Sequence, residues 1–119
     1  MKCPSGPGQL DGPGSVDVGL DGRVYVADTG NHRVQVVDLS NGQVRAVWGQ
    51  PDPYGPPEPG AAPGRFDEPW DLTADGAGYL YVVDHGNRRV QKFDANGRLF
   101  PFFWETMRGQ PVVPSEPAQ

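Results

Sequence analysis

Between residues 15 and 48 the chain alternates short apolar runs with turn residues, and between 70 and 104 it does so again. The runs are rich in Val, Tyr and Phe, the residue types that favour strands. They predict four strands in each half, near 15–19, 23–28, 33–38 and 43–48, then near 70–74, 79–84, 89–94 and 98–104. No stretch repeats its apolar positions at helical or heptad spacing. The second strand of each half, RVYVAD at 23–28 and YLYVVD at 79–84, is apolar at successive positions. Side chains alternate along a strand, so Leu80 and Val82 face one way and Tyr81 and Val83 the other. A sheet of such strands needs cover on both faces. Asn41-Gly42 and Asn96-Gly97 separate the third and fourth strands. Asn-Gly between apolar runs predicts a tight hairpin, because both residues tolerate left-handed backbone.

The two halves are copies. Residues 28–38 read DTGNHRVQVVD and residues 84–94 read DHGNRRVQKFD, an offset of 56. At that offset Gly8 falls on Gly64, Asp11 on Asp67, Pro13 on Pro69, Gly22 on Gly78 and Tyr25-Val26 on Tyr81-Val82. A single deletion then aligns the two Asn-Gly pairs. The chain divides into an N-terminal arm (1–7), a first repeat (8–49), a Pro/Gly-rich connector (50–63), a second repeat (64–105) and a Pro-rich tail (106–119). Four-stranded meanders stacked face to face around an axis satisfy the two-faced apolar pattern, which predicts an all-β fold of β-propeller blades.

The string Asp-x-Gly-Asn-x-Arg-Val-Gln, after Tyr-Val-x-Asp and before an Asn-Gly turn, resembles the NHL repeat, as does the lead-in GRFDEPWDL at 64–72. The resemblance covers residues 8–104 as two copies. It implies two four-stranded antiparallel blades in a family whose members usually have six. Two blades share one interface and leave two apolar faces open, and such faces drive association. A head-to-tail interface that closes on rotation makes a ring. A homotrimer completing a six-bladed propeller is therefore expected, the alternative being a fragment or a module whose missing blades lie elsewhere.

Composition narrows the partners. The chain has 119 residues with 17 Gly and 14 Pro, a level at which disorder has to be weighed. Many of the prolines fall in 51–69 and 101–117, leaving valine- and tyrosine-rich segments between them. A net charge of −5 with scattered basic residues argues against nucleic acid. No apolar run has the length of a membrane span. The start, MKCPSGPGQL, lacks the apolar stretch of a signal peptide, and a lone Cys3 forms no internal disulfide. A cytoplasmic location is the default reading, with a mature secreted fragment as the alternative.

The repeated Asp28, Asn31, Arg33, Asp84, Asn87 and Arg89 read as structure, because residues present in every blade build the blade. Asp and Asn bond turn backbone, and an Arg fork pairs a carboxylate. Unrepeated positions are the candidates for function. Tyr54, Arg65, Trp70, His85 and Arg88 lie on or beside the loops and suit a protein, carbohydrate or other small ligand. Asp17, Asp71 and Asp75 lie at or just after the first strands, which line a propeller's channel. In a trimer they bring carboxylates toward one axis, where calcium is a candidate. Against this stands the plain alternative that channel residues are polar because the channel holds water. His32 and His85 fall on equivalent turns but not at matching positions, so a zinc-type His set is not expected. No Gly-x-Ser-x-Gly elbow or phosphate loop is present. The leading expectation is a noncatalytic scaffold with no cofactor. The alternative, implied by lyases and lactonases among propellers, is a calcium- or zinc-dependent enzyme with an axial site.

Overall fold

A computed structural model describes residues 6–105 and 110–112. The first sheet runs β1 (Ser15–Val18), β2 (Arg23–Asp28), β3 (Arg33–Asp38) and β4 (Val44–Trp48). The second runs β5 (Pro69–Ala74), β6 (Leu80–Asp84), β7 (Arg89–Phe93), β8 (Leu99–Glu105) and β9 (Gln110–Val112). Each is an antiparallel meander with strands in chain order. β9 extends the second sheet beyond the four predicted strands, pairing Phe103 with Val112 and Glu105 with Gln110. It lies in the segment read above as a tail, where three residues including Pro111 carry no alternating pattern. Cys3 and the side chains of Phe102, Phe103 and Trp104 lie outside the described residues.

The sheets stack face to face. Tyr25, Ala27, Val34, Val36 and Trp48 of the first sheet meet Leu72, Leu80, Val82 and Phe93 of the second, with Phe66 beside them. All are buried. Their aromatic rings form a chain: Tyr25 to Trp48 at 5.5 Å, Trp48 to Phe93 at 5.3 Å, and Phe93 to Phe66 at 5.7 Å. Such tilted contacts add to the burial of apolar area. Gly49 is required where β4 leaves the sheet. Its φ is +98°, and a Cβ there would stand 2.4 Å from the Phe66 ring.

The third hairpins differ from the two-residue Asn-Gly turns expected. Asn41 and Asn96 keep negative φ, and only Gly42 (φ +75°) and Gly97 (φ +89°) are left-handed. In the second repeat Gly97 N–H donates to Asp94 O, and Asp94 N–H to Arg98 O. That is a type I turn closed by a left-handed glycine, the common three-residue hairpin loop. In the first repeat Gly42 N–H reaches Asp38 O, one residue further. This longer loop accounts for the single deletion between the repeats.

The open faces are unlike each other. On the first sheet Val16 pairs with Val26 and Val18 with Val24, giving an aliphatic surface on which Val16 and Val18 are 62% and 55% exposed. On the second, Asp71, Thr73, Tyr81, Val83, Val90 and Lys92 share the outer face. The expectation of two apolar open faces therefore holds only for the first sheet. Lys92 stands where the first repeat has the buried Val36, and its Nζ rests 4.5 Å from the Tyr79 ring and 4.7 Å from Phe100.

Candidate functional site

Each repeat encloses one buried charged network. Asp28 and Arg33 are 0% and 1% exposed. The Arg33 Nε donates to Asp28 Oδ2 at 2.7 Å, and Asn31 and Gln35 donate to the same oxygen at 3.0 and 3.2 Å. Asp28 Oδ1 accepts the Asp11 backbone N–H at 2.8 Å. The Arg33 fork and the Gln35 amide then reach back to the Gln9 carbonyl, at 2.7 and 2.6 Å. The second repeat repeats this set. Arg89 Nε and Asn87 donate to Asp84 Oδ2 at 2.8 and 2.9 Å, Asp84 Oδ1 accepts from Asp67 N–H, and Arg89 bonds the carbonyls of Ala61, Ala62 and Arg65. These charges pin the incoming loop to the blade and are almost wholly buried. Gln35 and Gln91, both fully buried, belong to the network. Their signal in the sequence was their place in the repeated string.

The unrepeated candidates divide. Trp70 and His85 stack in parallel, with ring centroids 3.5 Å apart and 4° between planes. Trp70 remains 51% exposed. It borders a cleft lined by Gly12, Gly14, Thr29 and Asp71. Arg88 joins His85 along a neighbouring cleft. Tyr54, 82% exposed, stands apart beside β4 with Pro7, Val44 and Pro53. Arg65 is spent on the connector, donating to Gly49 O at 3.0 Å and lying 3.7 Å from Glu58. His32 joins the blades: its Nδ1 accepts the Glu68 N–H at 3.0 Å, and Asp67 lies 3.6 Å away.

The three first-strand carboxylates serve backbone groups. Asp17 Oδ2 accepts Ala74 N–H at 2.8 Å, bridging β1 to β5, and Asp17 Oδ1 accepts Val18 N–H. Asp71 accepts Leu72 N–H at 2.8 Å. Asp75 sits in the β5–β6 turn, where it accepts Ala77 N–H, Tyr79 N–H and the Tyr81 hydroxyl. Among the described residues no three His, Cys, Asp or Glu are grouped to hold a metal. The Ala74 N–H, foremost, holds the Asp17 carboxyl below its ordinary value. A carboxyl lowered on folding stabilises the fold above its unfolded value, near 3.8, and loses that contribution as pH falls through the folded value. The Asp17→Asn variant should lose less stability than the parent between about pH 6 and about pH 3. Urea midpoints measured at both pH values check this, and equal losses in the two proteins would refute it.

The profile of the NHL repeat matches residues 10–37 and 66–93. The chain is 34% identical over 89 residues to NHL repeat-containing protein 3 of Homo sapiens, covering 74% of this chain and 24% of that protein. It is 36% identical over 93 residues to NHL repeat-containing protein 2 of Gallus gallus, covering 74% and 12%. It is also 28% identical over 95 residues to a probable peptidyl-alpha-hydroxyglycine alpha-amidating lyase of Caenorhabditis elegans, covering 79% and 26%. The chain thus spans about a quarter or less of the length of these relatives.

Proposed function

We propose that this chain, which belongs to the NHL-repeat family and carries two tandem copies of the repeat, is a noncatalytic propeller scaffold that takes its ligand at the loop end around Trp70. The supporting observation is the Trp70–His85 stack. A half-exposed indole is usually mobile; this one is held against a second ring beside a cleft of about 490 Å³. A pre-ordered aromatic surface loses little entropy on binding. It suits partners with a flat apolar face, a carbohydrate or a proline-rich peptide segment. The aliphatic open face of the first sheet supports completion of the ring as a homotrimer, six blades from three chains.

The enzyme reading draws on the likeness to the C. elegans lyase. For this chain it requires donors beyond the described residues of one copy, whose carboxylates and histidines form no such group. Two measurements on the purified protein separate the readings. Light scattering should give a native mass about three times 12.9 kDa, and metal analysis after dialysis should give no stoichiometric calcium or zinc. Titration with an oligosaccharide series and a polyproline peptide, followed by calorimetry, should show binding weakened at least about tenfold in Trp70→Ala, the loss of one stacked ring. Retained metal favours the enzyme, and undiminished binding by Trp70→Ala removes the proposed site.

A further inference from the structure

We infer that the cleft lined by Glu68, Val83, His85, Gly86, Arg88, Arg89 and Val90 is the seat for residues 10–13 of a second copy of this chain. This rests on the ring-closure reading above and gives it a specific contact. The chain itself supplies the template. In the first repeat the same positions, 56 residues earlier, are Gly12, Ala27, Thr29, Gly30, His32, Arg33 and Val34. That seat is filled by residues 66–69 of the second repeat. There the Thr29 hydroxyl donates to Pro69 O at 2.6 Å, the His32 Nδ1 accepts Glu68 N–H at 3.0 Å, and Phe66 is completely buried.

The segment equivalent to 66–69 is Leu10-Asp11-Gly12-Pro13, and it already has the required shape. Glu68 has φ +55° and Gly12 φ +58°. Asp67 O accepts Gly86 N–H at 2.7 Å, and Asp11 O accepts Gly30 N–H at 2.8 Å. Yet Leu10 is 38% exposed where Phe66 is 0%, and it lines an apolar groove with Pro13, Val16 and Val26. The left-handed backbone that carries the seat is also repeated, at His32 (φ 55°) and Arg88 (φ 56°). Charge complements shape. Within the chain Asp67 lies 3.6 Å from the His32 Nδ1, the nitrogen that accepts the Glu68 N–H, so that contact is not an ion pair. Between copies the same two positions hold Arg88 and Asp11, a cation and a carboxylate. His85, in place of Thr29, carries a ring N–H for Pro13 O.

The test is a charge exchange read by native mass. At a concentration where the parent assembles, Asp11→Arg and Arg88→Asp should each lower the native mass threefold, with unchanged circular dichroism. The double variant carrying both should restore it. Single variants that assemble like the parent overturn the seat while leaving the ring intact. A parent that is a single chain at every concentration overturns the ring reading and the seat together. Should a single variant misfold, Pro13→Cys with His85→Cys in a Cys3→Ser background should give disulfide-linked multimers on mild oxidation. Their absence in an assembling protein also overturns the seat.

Discussion

Replacing Asp84 with Ala should lower the stability of the chain by about 3–5 kcal/mol, the usual cost of removing one partner from a buried ion pair. The reason is what remains. Arg89 is 5% exposed, and its Nε loses its anion at 2.8 Å. Asn87, Gln91 and the Asp67 backbone N–H lose their acceptor together. Each orphaned group costs on the order of 1–3 kcal/mol when water cannot reach it. Against a total of roughly 5–15 kcal/mol for a domain, the loss is a large fraction. Urea unfolding followed by circular dichroism measures it. A shift in stability below about 1 kcal/mol, the level of an exposed pair, would mean the network is hydrated and would end its role as the clasp of the blade.

The second large effect is at the seam between sheets. Phe66→Ala should cost about 3–5 kcal/mol, the range for emptying a buried aromatic site. The site collapses poorly because Gly49 and the Phe93 ring, 5.7 Å away, already press on it from the sheets. Leu10→Ala at the equivalent position of the first repeat is the control. In an isolated chain it should cost little, since Leu10 is 38% exposed. In an assembled ring its cost should rise toward that of Phe66. Comparing the two variants by denaturant midpoint at low and high protein concentration reads both quantities. Equal, small costs at Phe66 and Leu10 would show that the inter-sheet contact is loose.

Much of this fold could be read from letters alone. Strands with apolar residues on both faces, and a string repeated at a fixed offset, are local signals, and each survives folding. The role of Asp28 and Arg33 as blade builders was also legible, because repetition separates framework from function. What escaped depended on distance. Trp70 and His85 are fifteen positions apart. Only the pairing of Pro69 with Asp84 across β5 and β6 sets their rings together. Asp75 falls at a strand end in the sequence, but two backbone N–H groups and a hydroxyl draw it into a turn. The polarity of the second sheet's outer face was visible as Lys92 against Val36. Its meaning required knowing which face the first sheet covers. Tyr54 and Arg65 shared a loop with Trp70 in sequence, yet the connector carries them elsewhere.

The clasp of the first repeat reaches back along the chain. Arg33 and Gln35 bond the carbonyls of Gly6 and Gln9 and the Gly8 N–H, and Asp28 accepts from the Asp11 N–H, Asn31, Arg33 and Gln35. A chain emerging from the ribosome therefore holds these members of the first clasp once β3 has appeared, before any of the second repeat is made. Domains tend to fold in that order during synthesis. Here the direction of translation and the direction of the hydrogen bonds agree, so the first blade can serve as a finished surface on which the second is laid.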